Sequence, residues 1–133
     1  RGIRELLAAL DRAGVPTAIA STAPATWVLP AAERIGLRGR FTAIVTGDAV
    51  LRRKPAPDVY LEAARQLGVD PSRSVAIEDS APGVAAARAA GMTVIAIPHW
   101  LTETHDLTGA HLLVRHAGEL TLERLDRLLR NGL

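Results

Sequence analysis

The sequence contains no cysteine, one lysine, one methionine and four aromatic residues in 133 positions. Without cysteine there is neither a disulfide nor a thiolate metal site, which fits a reducing compartment such as the cytoplasm. No apolar run approaches the roughly 20 residues a membrane span requires, so no membrane partner is expected. The opening RGIRELLAALDRAG has the spacing of an amphipathic helix and not the layout of a signal peptide. An excess of one charge is also lacking: 16 Lys+Arg stand against 14 Asp+Glu, for a net charge of +2. That balance does not argue for nucleic acid, and Trp27, Phe41, Tyr60 and Trp100 form no stacking platform for bases. The length suits one domain spanning 1–133, large enough to bury about two-thirds of its unfolded surface.

What is present is more pointed. Lys54 is the one lysine among 16 cations, all the others being arginine. In an Arg- and Ala-rich chain, a lysine retained in RRKPAP hints at a need for a compact ammonium rather than a planar guanidinium.

Along the chain, apolar stripes alternate with short apolar runs. Ile3 to Ala13 has helical spacing and stops at Gly14. Thr17 to Ala20 has the composition of a buried parallel strand and ends at Ser21-Thr22. A helical region runs from about Pro24 to Ile35, and Pro30 within it predicts a kink or a start near Pro30. Phe41 to Val45 is the next strand, leading into Thr46-Gly47-Asp48. Asp58 to Leu67 is a helix with Val59, Tyr60, Ala63, Ala64 and Leu67 facing inward. Ser74 to Ile77 is a third strand, stopped by Glu78-Asp79-Ser80. Pro82 to Ala90 is an Ala-rich helix, Thr93 to Ile97 a fourth strand, Leu112 to Val114 a short fifth, and Leu122 to Leu129 a terminal helix. Pro98 to Gly109 is the longest irregular stretch and the expected mobile loop. This alternation predicts an α/β fold with a doubly wound parallel sheet.

Open parallel sheets bind ligands beyond the carboxyl ends of their strands. Ser21 follows the first strand, Lys54 lies beyond the second, and Glu78-Asp79 follow the third. A hydroxyl, an ammonium and two carboxylates suit a phosphoryl group and a divalent cation such as Mg²⁺. Each residue alone has a plainer explanation. Ser21 or Thr22 serves equally as a helix cap, and Lys54 as a solvated turn residue. Glu78-Asp79-Ser80 before Pro82 resembles a helix start, while Asp48 is either a turn-former or a partner for Lys54. Their common position on one predicted edge favours the joint reading. His99, His105, His111 and His116 lack the i, i+4 spacing of a zinc helix and read as solvated or locally hydrogen-bonded.

The segments IASTAP, RRKPAPDVYLEAARQLGV and VAIEDSAPGVAAARAAGM resemble motifs II, III and IV of the haloacid dehalogenase superfamily. The likeness is to its β-phosphoglucomutase and phosphoglycolate-phosphatase-like branch and extends over nearly the whole chain. The resemblance implies a Rossmann-like core and an Mg²⁺-dependent phosphatase or phosphomutase acting on a small phosphorylated metabolite through an aspartyl-phosphate. It assigns Ser21 and the Thr22 N–H to the phosphoryl group, and Lys54 to that group and the nucleophile. Asp79 would hold Mg²⁺, with Glu78 at or behind the metal.

One departure matters. The family's nucleophile motif is Asp-x-Asp on an N-terminal strand, and none of the aspartates here (Asp11, Asp48, Asp58, Asp70, Asp79, Asp106, Asp126) belongs to such a motif. The chain opens on Arg and on what resembles the helix after the inserted cap domain. The expectation is therefore a truncated, C-terminal portion of the core, without its central strand and cap and inactive alone. The family's missing strand would lie between those ending at Ser21 and Glu78. Three fillings are expected for that position: a separate N-terminal fragment, a second copy of the chain, or direct pairing of the flanking strands. A non-catalytic module binding phosphate or a partner protein, and a receiver-type phosphoacceptor domain, stand as alternatives.

Overall fold

The computed structural model describes residues 2–131. Its elements are α1 (Ile3–Arg12), β1 (Ala18–Ala20), α2 (Ala25–Arg34), β2 (Ala43–Val45), α3 (Asp58–Leu67), β3 (Val75–Glu78), α4 (Ala81–Ala89), β4 (Thr93–Ala96), β5 (Leu112–Leu113) and α5 (Leu122–Asn131). Among the described residues no helix is long and apolar enough to cross a membrane.

The helices end where local chemistry says they should. α1 buries Leu6 and Leu7 and is followed by Gly14 at φ 71°, a left-handed value that glycine adopts without a Cβ penalty. α4 is capped by Ser80, whose hydroxyl oxygen accepts the Gly83 N–H at 3.3 Å, with Pro82 in its first turn. α2 occupies the expected region, without the late start that Pro30 also allowed. It begins at Ala25 and runs through Pro30. Proline has no N–H for the Thr26 carbonyl, a cost that here does not delay the helix start. Asp48 helps offset it, because its Oδ2 accepts the Ala25 N–H at 2.6 Å and so holds the first turn.

The strands form two parallel ladders. β1 pairs with β2 in the register Ala18↔Ala43 to Ala20↔Val45. β3 pairs with β4 from Val75↔Thr93 to Glu78↔Ala96, and β4 with β5 through Ile95↔Leu112 and Ala96↔Leu113. β1 and β3 are each paired on one edge only among the described residues, so the direct pairing considered above does not form. Every residue of β1 is half-buried, and Ile77 of β3 remains 39% exposed.

One apolar core nevertheless joins the two ladders. Val45 of β2 packs with Ala76 of β3, with Val94 and Ala96 of β4, with Val59, Tyr60, Ala63 and Ala64 of α3, and with Val84, Ala86 and Ala87 of α4. The alternate residues point the other way. Ile95 and the adjoining Val75 and Ile97 meet Leu6 of α1 and Leu125 and Leu128 of α5. Strand periodicity thus sends α3 and α4 to one face and α1 and α5 to the other, the doubly wound arrangement that the alternation predicts.

Ile95 is fully buried in the second of these cores. Ile95→Ala is expected to lower the unfolding free energy by about 2–5 kcal/mol, read as a lower urea midpoint at unchanged slope.

Candidate active site

The carboxyl ends of β1 and β3 meet at Lys54. Its ammonium donates to the carbonyl oxygen of Ala20, the last residue of β1, at 3.1 Å, and is paired with Glu78, the last residue of β3. The hydroxyl of Tyr60, in the first turn of α3, donates to the same Glu78 oxygen, and the Lys54 ammonium lies 5.0 Å from the Tyr60 ring centre. Lys54 and Glu78 keep only 15% and 7% of their side-chain surface exposed. A tetrahedral ammonium has three N–H donors. Two are used by Ala20 and Glu78, which leaves one for a ligand.

Glu78 needs space that only glycine provides. A Cβ on Gly83 of α4 would collide with the Glu78 carboxylate. The second Glu78 oxygen accepts the Asp79 N–H at 3.3 Å. Both Glu78 oxygens thus have partners within the protein. Asp79 is different: its side chain is 54% exposed, and His99 Nε2 stands 3.1 Å from Oδ2. An open pocket of about 320 Å³ is lined by Ala20, Lys54, Ile77, Glu78, Asp79 and Ile97.

Ser21 sits immediately beyond Ala20. Its N–H donates to the Val45 carbonyl at 3.0 Å, and its hydroxyl oxygen accepts the Ala23 N–H at 3.1 Å. The turn-forming role is thus present, and the hydroxyl proton is not used by it. Ser21 also borders a second, more apolar pocket of about 410 Å³ with Trp27, Val28 and Phe41. Thr22 follows, its carbonyl oxygen pressed against Gly47, where a Cβ would collide with it. Asp48 caps α2, and the partner of Lys54 is Glu78.

Two contributors lie outside the residues picked from the sequence. Tyr60 reads as one more inward residue on the α3 stripe, and its ring is in the core, but its hydroxyl reaches the site. The signal was a phenol on an otherwise aliphatic stripe, since a buried hydroxyl requires a partner. His99 reads as solvated or locally bonded. Its contact with Asp79 is long-range, because β3 and β4 are adjacent parallel strands and their following loops are neighbours.

Burial pushes the Tyr60 phenol well above its ordinary 10.0, and the Glu78 charge, its hydrogen bond and the Asp79 charge push it further the same way. With Lys54 positive and Glu78 and Asp79 negative, the pocket's three charges sum to −1. Such a pocket repels a phosphate dianion until a divalent cation reverses the sign. One exposed carboxylate beside waters and phosphate oxygens is a donor set that suits Mg²⁺. Among the described residues no three His, Asp or Glu side chains gather around one point, so what this chain offers such an ion is the single exposed carboxylate of Asp79.

Parallel strands on a doubly wound core, with a lysine and two acids at their carboxyl ends, form a crevice of the kind in which open α/β sheets bind ligands. The family model for haloacid dehalogenase-like hydrolases matches residues 1–91, and the chain belongs to that family. It is 39% identical over 124 residues to a bifunctional riboflavin kinase/FMN phosphatase of Arabidopsis thaliana, covering 92% of this chain and 33% of that protein. It is 35% identical over 119 residues to a phosphoglycolate phosphatase of Chromobacterium violaceum, covering 90% of this chain and 53% of that protein. The crystal structure of CbbY from Rhodobacter sphaeroides in complex with phosphate superposes with a TM-score of 0.89 at 39% identity, covering 94% of this chain and 57% of that one. The chain thus spans from a third to rather more than half of the length of these relatives, and the phosphoglycolate phosphatase and CbbY agree with the branch its motifs resemble.

Two outcomes follow from the Glu78 cluster. Tyr60 is the sole tyrosine, so tyrosinate absorbance reports on it alone. Above about pH 10 the unfolded chain releases the phenol proton while the folded state keeps it. Stability is then lost as pH rises past 10, and tyrosinate absorbance is expected to rise only together with loss of the circular-dichroism signal. An absorbance rise near pH 10 in still-folded protein would contradict the buried contact. In addition, Gly83→Ala, which in an open helix would add about 1 kcal/mol, is expected to lower the melting temperature by displacing the Glu78 carboxylate.

Proposed function

We propose that this chain carries the cation- and phosphate-binding side of a Mg²⁺-dependent phosphatase or phosphomutase acting on a small phosphorylated metabolite. The observation that carries this reading is the meeting of Lys54, Glu78 and Asp79 at the junction of β1 and β3. Asp79 would hold the cation through its exposed carboxylate, with Glu78 behind it. Lys54 would direct its remaining N–H at a phosphoryl oxygen, and Ser21 and the Thr22 N–H would approach the same group from the end of β1. When bound, the cation supplies positive charge to the transferring phosphoryl group. The named substrates of relatives support the substrate class: phosphoglycolate for one, and N-acetylmuramic acid 6-phosphate for another.

The reaction would pass through an aspartyl-phosphate. The attacking carboxylate would come from an Asp-x-Asp strand lying between β1 and β3, a motif that these 133 residues do not contain. A separate fragment or a second copy filling that position remains part of the proposal, and the 133 residues alone are expected to be inactive. The non-catalytic reading draws on the same absence of Asp-x-Asp.

In a longer protein that includes this motif, Asp79→Asn and Lys54→Ala are each expected to lower turnover of p-nitrophenyl phosphate by about a hundredfold or more. Full activity in both variants would remove the role assignment. For the 133 residues, phosphate binding followed by ³¹P linewidth is expected only when Mg²⁺ is added. Phosphate binding of equal strength without Mg²⁺ would favour the non-catalytic module.

A further inference from the structure

The loop that carries Lys54 is fastened to the core at both ends and has few ties of its own. Val50 packs against the first core, and Val59 is fully buried in it. Between them Leu51, Arg52, Arg53 and Pro55 are exposed, whereas the Lys54 side chain keeps only 15% of its surface. Among the described residues the one backbone hydrogen bond within 51–57 runs from the Ala56 N–H to the Arg53 carbonyl, at 2.9 Å.

The remaining tie is a side chain. Asp58 is the first residue of α3, and its Oδ2 accepts the backbone N–H of Arg52 at 3.2 Å and the Arg52 Nε–H at 3.4 Å. Arg52 Nη2 stands 2.9 Å from Oδ1, which is shut off from solvent. A carboxylate at this place ordinarily serves the free N–H groups and the dipole of its own helix. Here it also reaches back six residues and closes residues 52–58 into a ring that contains Lys54. The Asp58 side chain is 17% exposed and that of Arg52 71%, so the bond to the Arg52 backbone N–H is the firmer hold, and it fixes the chain itself.

We propose that Asp58 is a positioning residue for Lys54: by accepting the Arg52 N–H it closes the loop and holds the Lys54 ammonium at the carboxyl ends of β1 and β3. The ammonium sits on a flexible four-carbon stem, and a fixed backbone beneath it reduces the freedom lost in meeting Ala20, Glu78 and an incoming oxygen together. Loop closure needs no phosphate. Its functional meaning rests on the reading of Lys54 as the cation that faces a phosphoryl group.

Lys54 is the sole lysine, so its acetylation by acetic anhydride, read by mass spectrometry of the peptide that contains it, reports on this one ammonium. Well below the melting temperature, Asp58→Ala is expected to be acetylated at Lys54 about tenfold faster than wild type. Asp58→Asn, which keeps an oxygen for the Arg52 N–H, is expected to recover most of the protection. Ile95→Ala, destabilised in the other core, is the stability control and is expected to react at the wild-type rate. Equal rates in Asp58→Ala and wild type overturn the positioning role, and so does the same acceleration in Ile95→Ala, which would trace it to stability alone. In ³¹P linewidth titrations with Mg²⁺, Asp58→Ala is expected to bind phosphate about tenfold more weakly, and unchanged affinity would also overturn the role. If wild type binds no phosphate while the acetylation rates differ as expected, the phosphoryl reading of Lys54 fails and Asp58 keeps its hold on the loop.

Discussion

The Glu78 carboxylate is the constraint on which the arrangement depends. It closes β3, receives the Lys54 ammonium and the Tyr60 hydroxyl, and fits against α4 only because residue 83 has no side chain. An ion pair this enclosed loses much of its hydration. Its mutual attraction compensates only when the remaining lone pairs are satisfied too, as the Tyr60 and Asp79 N–H donors do here. Removing one partner strands the other, at a cost of about 3–5 kcal/mol in comparable buried pairs. A hydrophobic replacement of the whole set would be cheaper for stability. Its presence in an otherwise aliphatic core is therefore better explained by what it holds in place: an ammonium with one donor to spare, next to an exposed aspartate.

Most of the architecture was legible because parallel α/β folds write themselves in alternation. The five short apolar runs became the five strands within a residue or two at each end, and α3 is Asp58–Leu67 as its apolar stripe indicates. Pro30 left the start of α2 open for an identifiable reason: composition registers the lost N–H but not the Asp48 carboxylate that secures the first turn from 23 residues away. The convergence of Lys54 with Glu78 and Asp79 was legible from the rule about strand ends. The difference in environment between the two acids, one enclosed and one exposed, was not. It depends on Tyr60 and Gly83, which occupy Glu78 from the side of the core, and neither contact is visible in the order of residues. His99 was hidden similarly, because its partner lies 20 residues earlier and only the β3–β4 pairing brings the two together.

The location of the site follows from backbone chemistry at the junction of the two ladders. Carbonyl and N–H groups along a sheet normally satisfy one another, and an unpaired edge invites association. At the end of β1 the Ala20 carbonyl instead accepts from the Lys54 side chain. The same core of α3, α4, Val45, Ala76 and Val94 packs against both ladders, while β1 and β3 do not pair with each other among the described residues. Lysine suits the position better than the arginine used everywhere else in the chain. A planar fork with five donors would have to satisfy a carbonyl, a carboxylate and an incoming oxygen that do not share a plane, whereas a tetrahedral ammonium reaches three separated acceptors. The lone lysine thus ties the carboxyl end of β1 to that of β3, and the pocket opens directly beside it.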